Sequence, residues 1–445
     1  MKKMILPFLL FAYCQLEAQV WSTVEMPSPL CFSGLGVHGS KLFIVGGAKA
    51  NFNIDPNAAS DKIYTYDTQT GEWSEQPLAN PRLQLQGLSV GGKLMFVGGY
   101  GWWNNGFPTV SDAIEVYDTL TGEWSLEHLP SARRNVTAVA IDGKAYFAGG
   151  RPYGNGFSDD LDIFDPVTGT WNTITIPAAG NFHGGAAGQK LLLWSEDKCF
   201  IYNTLDTTWE TASFALPRGF ARSVVSTPEE VWFIGGGEFL DTIDIYHIAD
   251  GSWRFENLAM ARSSALAFYL QGKIVIAGGL TNSGGLDLVE TYDTETGEWL
   301  EMTAIDETKY AISSGNYLAP VIGSKAFLPG GALATGWSSF SSKLHIYIDT
   351  SDSVSSLFTP VLKNVRIQSF PSPFSEALNI RVDFEKPASG SLELYDLTGR
   401  QVFSEQIGNQ PIWNKTIATH GWPDRAYLLK VCTAEGVAFR KVLKQ

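Results

Sequence analysis

The sequence predicts an all-β protein built from repeats of one four-stranded unit. The first observation is a phrase that runs from Val116 to Trp124, recurs at Thr65 to Trp73 and at Thr291 to Trp299, and has a looser copy at Ile163 to Trp171. Each copy is typical of a β-hairpin, because Asp can hydrogen-bond the turn backbone and Gly takes the positive φ of the turn. One hairpin cannot bury a Tyr and a Trp, so the repetition indicates stacked units that share a core.

The second observation is an apolar strand that ends in two glycines. A degenerate copy of it, from Leu191 to Trp194, has lost its glycines. The intact copies end in Gly46-Gly47, Gly98-Gly99, Gly149-Gly150, Gly235-Gly236, Gly278-Gly279 and Gly330-Gly331.

The third observation is that independent markers of the unit occur in equal numbers. Seven Gly-Gly strands (with the degenerate copy), seven inward aromatics and seven Trp markers are present. The spacing of successive Trp markers ranges from 38 residues (Trp171 to Trp209) to 52 residues (Trp21 to Trp73). This spacing suits a repeat of about 50 residues. The aromatics are Tyr66, Tyr117, Phe164, Tyr202, Tyr246, Tyr292 and Tyr347, and the other Trp markers are Trp124, Trp253 and Trp299.

The Gly-Gly pair, the Tyr-Asp pair and the Trp six residues after that Asp resemble the kelch repeat over residues 20–348. The resemblance implies a β-propeller of four-stranded blades. The last repeat has Tyr347 but no following Trp, whereas Trp21 has no aromatic partner in its own repeat. We therefore expect a seven-bladed kelch-type β-propeller closed by the N-terminal strand, in which Trp21 completes the last blade. Six blades are the alternative if the degenerate fourth unit is not a blade.

Residues 1–18 are predicted to be a secretory signal peptide. Two lysines precede an apolar run from Met4 to Tyr13, and Ala18 offers a small residue for cleavage. Cys14 leaves a lipoprotein as the alternative, although the bulky Tyr13 stands where lipoprotein signals have a small residue. No later stretch has the roughly 18 apolar residues of a membrane-spanning helix.

The charge balance argues against a nucleic-acid partner. The formal net charge is −14, from 32 Lys and Arg against 46 Asp and Glu. Residues 365–445 hold 10 basic and 8 acidic residues, so the rest of the chain holds 22 and 38 and carries −16. Nucleic acids require clustered Lys and Arg, and this pattern is typical of an acidic, solvated surface. Beyond Cys14, the odd number and wide spacing of Cys31, Cys199 and Cys432 predict buried single thiols.

The domain organisation that we expect is a signal peptide at 1–18, a kelch propeller at 19–348, a linker at 349–364 and a small β-sandwich at 365–445. The linker is rich in Ser, Asp and Thr, and the last segment alternates apolar and polar positions as strands do.

The segment 365–445 resembles the C-terminal sorting domain of the type IX secretion system. The features are a Pro-x-Pro opening, a Leu-Tyr-Asp-x-x-Gly-Arg turn from Leu394 to Arg400 and a basic final strand. Ser372 replaces the usual Asn between the prolines, and Asp424 to Ala426 replace the usual Gly before a Tyr. The resemblance implies export to the periplasm, passage through the outer membrane by the type IX machinery, and release or attachment at the cell surface.

A repeated arginine is the first candidate binding feature. Four units carry Arg nine residues after the Trp marker. In the other three units that position is occupied by Leu30, Gly180 and Thr308. Four guanidiniums at equivalent positions could ring the central channel and attract a carboxylate or sulfate. The alternative is that the Arg is part of the repeat and pairs with an acid or carbonyl of a neighbouring blade. The four are Arg82, Arg133, Arg218 and Arg262.

Aromatic residues after the Gly-Gly pairs are the second candidate feature. Trp102 and Trp103 stand beside Asn and Gly, and Tyr153 and Phe157 follow in the next unit. Trp337 and Phe340 lie in the last unit. Such residues are typical of a platform for a sugar or peptide, because aromatic faces bind without charge. The alternative is a loop folded on its own aromatics.

No catalytic residue, metal site or cofactor is predicted. The six His residues lack metal-ligand spacing, and the cysteines lack a context for the Tyr–Cys crosslink of galactose-oxidase-like kelch enzymes. We therefore expect a secreted or surface protein that binds an extracellular glycan or protein. One alternative is a sugar-acid enzyme resembling the kelch sialic-acid epimerases, with the repeated arginines on the substrate carboxylate. The other is a non-catalytic surface scaffold.

Overall fold

The computed structural model describes most of the chain, and its described residues contain strands and turns but no helix. They divide into two compact units, Trp21–Asp349 and a C-terminal unit described from Val365 onward. The described residues are 19–51, 55, 57–103, 107–154, 156–214, 223–237, 239–300, 302–310, 319–333, 339–349, 365–371, 374–396, 401–423, 426–433 and 436–444.

The described strands of the first unit form seven antiparallel sheets, which we call blades 1 to 7; six have four strands, and blade 6 has five because its outer strand is split. The N-terminal strand β1 (Gln19–Glu25) belongs to blade 7. A separate two-stranded hairpin, β8 (Tyr100–Trp103) and β9 (Phe107–Val110), leaves blade 2 after its Gly-Gly pair. Blade 1 contains β2 (Gly34–His38), β3 (Lys41–Val45), β4 (Lys62–Asp67) and β5 (Trp73–Pro77); blade 2 contains β6 (Gln86–Val90), β7 (Lys93–Val97), β10 (Ala113–Asp118) and β11 (Trp124–His128); blade 3 contains β12 (Thr137–Ile141), β13 (Lys144–Ala148), β14 (Asp160–Asp165) and β15 (Thr170–Thr175).

The later blades repeat this order. In blade 6 the outer strand is split in two, and a small hairpin, β26 (Leu280–Thr281) and β27 (Gly284–Gly285), follows its glycines. Blade 4 contains β16 (His183–Ala187), β17 (Lys190–Ser195), β18 (Lys198–Asn203) and β19 (Trp209–Ser213); blade 5 contains β20 (Ser223–Ser226), β21 (Glu230–Ile234), β22 (Thr242–His247) and β23 (Trp253–Asn257); blade 6 contains β24 (Leu266–Leu270), β25 (Lys273–Ala277), β28 (Leu288–Asp293), β29 (Glu298–Trp299) and β30 (Thr303–Ala304); blade 7 contains β31 (Val321–Ile322), β32 (Lys325–Pro329), β33 (Lys343–Asp349) and β1.

The blades form a closed ring. The first strand of each blade contacts that of the next, from β2 through β6, β12, β16 and β20 to β24, and blade 7 contacts both β24 and β2. This is the arrangement of a β-propeller, in which first strands line the centre. The degenerate fourth unit forms a complete blade, so the six-blade alternative does not hold.

An aromatic pair recurs in every blade and confirms the predicted closure. The inward aromatic of the third strand lies 4.8 to 5.2 Å, between ring centroids, from the Trp of the fourth strand. In blade 7 this pair joins Tyr347 to Trp21 from the other end of the unit, at 5.2 Å. Such pairs add about 1 kcal/mol beyond area burial. The N-terminal strand therefore completes the last blade, as the unpaired Trp predicted.

In the six blades that have it, the Gly-Gly pair packs against the loop that leads into the next blade. A Cβ on Gly46 would lie 2.3 Å from the carbonyl oxygen of Arg82, and one on Gly98 would lie 2.5 Å from that of Arg133. Both glycines also have positive φ, +60° and +65°. The N–H of Gly47 donates to the Arg82 carbonyl at 2.9 Å. The pattern is therefore a structural one, set by a close approach between blades.

The second unit contains one curled antiparallel sheet of five strands. Register shifts break the pairing of its two long strands between Asp383 and Gly390. Residues on both sides of this break, such as Leu378 and Leu392, share one apolar core, as expected of a small β-sandwich. The strands are β34 (Val365–Phe370), β35 (Ala377–Asp396), β36 (Gln401–Ala418), β37 (Ala426–Thr433) and β38 (Gly436–Leu443).

The cysteines that the structure describes are free thiols. Cys31 and Cys199 are buried, and burial raises the pKa of both thiols, whereas Cys432 is half-buried.

Candidate binding site

Arg82, the first of the repeated arginines, lies in the loop that leads into blade 2 and is fully buried. Its guanidinium pairs with the Glu115 carboxylate, with Nη1 donating to Oε1 at 2.9 Å and Nη2 donating to Oε2. Its Nε donates to the carbonyl oxygen of Gly98 at 2.9 Å. Burial lowers the pKa of Arg82 to about 10, so the group is still a cation at neutral pH. An acid of the chain itself already occupies this guanidinium.

Arg133 and Arg262 repeat this arrangement. Arg133 is fully buried, and its Nη2 donates to Oδ2 of Asp162. Arg262 is 1% exposed, and its Nη2 donates to Oε1 of Glu290. These three arginines therefore favour the interpretation in which Arg belongs to the repeat and pairs with an acid. Arg218, the fourth, lies outside the described residues.

Blade 7 has a lysine at the arginine position. The carbonyl of Lys309 accepts the N–H of Gly279 at 2.9 Å, so the equivalent residue comes one position later than Thr308. Its ammonium donates to Nδ1 of His345 at 2.6 Å, so the proton on Nε2 of His345 donates to Asp306. Burial lowers the pKa of Lys309 to about 8, and burial and Lys309 together lower that of His345. This buried chain replaces the arginine–acid pair.

The predicted aromatic loop of blade 2 contains the hairpin of β8 and β9. Trp102 pairs with Pro108, and Trp103 with Phe107, at the far end of the hairpin. Tyr100 begins the hairpin and exchanges both backbone hydrogen bonds with Leu83, at 2.9 and 3.0 Å. Trp102 and Trp103 are therefore held at the end of an anchored hairpin, not in an irregular loop.

Of the other predicted aromatics, Tyr153 is 75% exposed. It follows the glycines of blade 3, so it belongs to the neighbouring loop on the same face as the hairpin. Phe340 pairs with Ala332 in blade 7 and joins an apolar cluster with Tyr310. Trp337 lies outside the described residues.

Two further arginines, which the sequence did not single out, face each other beside this hairpin. Arg134 and Arg151 form a β-bridge, with backbone N–H to carbonyl distances of 3.1 and 2.9 Å. Directly opposed residues of an antiparallel pair project their side chains from the same face, with Cα atoms about 5.5 Å apart. We call this pair the arginine bridge. It places two guanidiniums where the loop into blade 3 meets the loop after the blade 3 glycines.

The surroundings of the arginine bridge are aromatic. The guanidinium carbon of Arg134 lies 4.7 Å from the ring centroid of Tyr100, and that of Arg151 lies 5.3 Å from the ring centroid of Phe157. Both arginines are half-buried, and the buried Nε of Arg151 has no hydrogen-bond partner. Burial lowers the pKa of Arg134; Tyr100 acts against this and the charge of Arg151 adds to it. The two positively charged guanidiniums are thus held near each other, each against an aromatic ring.

No acid offsets this pair within the described part of the chain, since neither guanidinium forms an ion pair there. The equivalent bridges that the structure describes in other blades carry no charge. Sequence reasoning missed the pair, although Arg134 directly follows a repeated Arg and Arg151 directly follows a Gly-Gly. The signal was the contrast with the uncharged residues of other repeats. Those bridges are Cys31–Ala48, Leu83–Tyr100, Ser263–Leu280 and Tyr310–Ala332.

Two negative findings concern the described residues. They contain no group of three or more His, Cys, Asp or Glu side chains arranged to hold a metal ion. None of their segments forms a helix long and apolar enough to cross a bilayer.

Seven four-stranded blades and a separate curled sheet define a β-propeller protein with an accessory β-domain. Family models match the kelch motif at residues 29–78, 132–177 and 261–303, and the secretion system C-terminal sorting domain at residues 368–445. The chain is thus a kelch-repeat propeller with a type IX sorting domain. That domain supports secretion or display at the cell surface and implies interaction with the secretion machinery.

Curated relatives share the repeats at low identity. Kelch-like protein terF of Aspergillus terreus is 21% identical over 314 residues, 67% of this chain and 60% of that protein. An F-box/kelch-repeat protein of Arabidopsis thaliana is 28% identical over 129 residues, 28% of this chain and 29% of that protein. Kelch-like protein 23 of Homo sapiens is 22% identical over 271 residues, 60% of this chain and 40% of that protein. The chain spans less than two thirds of each relative.

The chain is similar to two solved structures, and the fungal one, with a TM-score above 0.5, shares its fold. A fungal alcohol oxidase of the AA5 family, in complex with copper, has a TM-score of 0.57 at 16% identity and covers 96% of this chain and 99% of its own. The structure of YjhT has a TM-score of 0.47 at 15% identity and covers 73% of this chain and 95% of its own.

Proposed function

We propose that the protein is a secreted or surface-displayed binding protein for an extracellular glycan. The ligand docks where the loops between blades meet the loops after the Gly-Gly pairs, at blades 2 and 3. The observation that carries this proposal is the anchored hairpin of β8 and β9, with Trp102 and Trp103 at its far end. A hairpin fixed at its base restricts the backbone of these two residues, which lowers the entropic cost of binding.

Tyr153 supports the same face. A tyrosine that is 75% exposed contributes an apolar ring and a hydroxyl at the water interface, a combination that suits the face of a sugar ring. It follows Arg151 by two residues, so the same short loop carries an exposed aromatic residue and an arginine. A protein ligand is the other outcome that the test below distinguishes.

We further propose the route by which the protein reaches its ligand. Residues 1–18 direct export to the periplasm, and residues 365–445 then direct passage through the outer membrane. The domain matched at residues 368–445 supports the second step.

Glycan-array binding of the full chain tests the proposal. The variant Trp102→Ala/Trp103→Ala/Tyr153→Ala is compared with Phe255→Ala, which removes a 60% exposed aromatic from the outer strand of blade 5. We expect the triple variant to lose glycan binding and the control to retain it. Equal binding by both variants, or binding to proteins alone, would contradict the proposal.

The alternative of a sugar-acid enzyme requires open guanidiniums at the repeated arginines. Arg82, Arg133 and Arg262 pair instead with Glu115, Asp162 and Glu290.

A further inference from the structure

We propose that the arginine bridge, Arg134 with Arg151, is a carboxylate-binding site and that the ligand is an acidic glycan bearing uronate-type carboxylates. This inference rests on the proposed function, which it deepens by naming the class of glycan.

The backbone fixes the two guanidiniums on one side of a short pairing. Arg134 and Arg151 exchange both backbone hydrogen bonds, so their side chains leave the bridge in the same direction. Each guanidinium rests on an aromatic ring, Arg134 on Tyr100 and Arg151 on Phe157. The rings limit the freedom of the arginines without neutralising them. Each guanidinium keeps a planar set of donors, the geometry that matches a carboxylate.

The pair departs from the rule that the same chain follows elsewhere. Arg82, Arg133 and Arg262 are each buried against an acid. Arg134 and Arg151 are half-buried, close to each other, and without an ion-paired acid among the described residues. Bringing two like charges together costs free energy, which an anion placed between them recovers. Such local departures from an otherwise consistent pattern concentrate at functional sites.

The surroundings favour a carboxylated sugar over a sulfated polymer. A polyanion of high charge density is attracted by extended basic patches, whereas the chain outside 365–445 carries −16. Here Arg134 contacts Tyr100, the first residue of the hairpin that contains Trp102 and Trp103, and the exposed Tyr153 follows Arg151 by two residues. That combination suits one carboxylate together with the face of the ring that bears it.

Calorimetric titration of the full chain with tetragalacturonate tests the inference. Its methyl ester, which keeps the sugar rings and removes the charges, is the matched ligand control. Dextran sulfate and pentaglutamate represent the sulfated-polymer and acidic-peptide sources of an anion. The test variants are Arg134→Ala/Arg151→Ala and Arg134→Lys/Arg151→Lys.

The control variant Lys93→Ala/Lys144→Ala also removes two positive charges, one from blade 2 and one from blade 3. These lysines begin β7 and β13, at the end of the second strand opposite the glycines, and their side chains are 28% and 47% exposed. Thermal melting of every variant monitors folding.

We expect tetragalacturonate to bind, and the methyl ester to bind at least about tenfold more weakly. The variant Arg134→Ala/Arg151→Ala should bind tetragalacturonate at least about tenfold more weakly than wild type does. The affinity of Arg134→Lys/Arg151→Lys should lie between those two, and Lys93→Ala/Lys144→Ala should bind as wild type does. If the alanine pair binds tetragalacturonate as wild type does, or if pentaglutamate or dextran sulfate is the ligand that depends on the arginines, the inference is overturned. A neutral glycan that needs Trp102 and Trp103 but not the arginines would overturn this inference and leave the proposed function standing.

Discussion

Trp21 and Tyr347 lie edge to face, with ring centroids 5.2 Å apart and an interplanar angle of 68°. They come from opposite ends of the propeller unit, and the same pair lies within one hairpin in the other six blades. This contact, together with the pairing of β1 with β33, therefore closes the ring.

The first prediction concerns this closure. We expect Trp21→Ala to lower the free energy of unfolding by about 3 kcal/mol, because it removes an aromatic contact and loosens the strand that covers the edge of blade 7. Trp73→Ala, which removes the same pair from blade 1, is the control and should cost about 1 kcal/mol less. Denaturant unfolding measures both. An equal or smaller loss in Trp21→Ala would mean that the N-terminal strand does not hold the ring together.

The second prediction concerns the buried pair of Arg82 and Glu115. Arg82→Met should cost about 3 kcal/mol, because it leaves a buried carboxylate without its partner. The double variant Arg82→Met/Glu115→Leu should recover a large part of that loss, which a double-mutant cycle in denaturant measures. Small and additive losses would instead indicate that Arg82 is available for a ligand.

The third prediction tests the reason for the glycines. Gly98→Ala would place a Cβ 2.5 Å from the carbonyl oxygen of Arg133. Gly143→Ala is the control, since Gly143 also has a positive φ, +71°, but no atom lies within 4 Å of the position that its Cβ would take. We expect Gly98→Ala to be at least about 2 kcal/mol more destabilising in thermal or denaturant unfolding. Equal losses would mean that φ alone explains the repeated glycine.

The fourth prediction concerns pH. The folded-state pKa of His345 lies below its usual value of 6.5, because of burial and the charge of Lys309. The unfolded state therefore takes up a proton first as the pH falls below about 6.5, and the stability of the folded state decreases. In His345→Gln, which keeps a donor and an acceptor, this part of the decrease should be absent. Unfolding free energies measured between about pH 7 and pH 5 compare the two, and parallel curves would contradict the assignment.

Repetition made the fold predictable. Because each unit carries the same Tyr, Trp and glycines, alignment of the copies gave seven blades and identified Trp21 as the missing partner of Tyr347. The second unit has no internal repeat, and its 18-residue strand Gln401–Ala418 was not predicted from the sequence. Its apolar and polar residues do not alternate regularly, so this segment forms a strand because it pairs with β35.

The candidate site was only partly predictable. Spacing located Arg82, but its partner Glu115 is 33 residues away, at the third position of a strand where other blades also have acids. In blade 7 one extra residue in the chain places Lys309, instead of the expected Thr308, at the position of the repeated arginine. The sequence shows that Arg134 and Arg151 are charged where other repeats are not, but only the backbone pairing shows that these two loop residues face each other.

The measurement that tests the central claim most directly is a crystal structure of the full chain with tetragalacturonate bound. We predict a uronate carboxylate within hydrogen-bond distance of both Arg134 and Arg151, with its sugar ring beside Tyr153. A ligand bound elsewhere, or an acid of the chain itself between the two guanidiniums, would contradict the account.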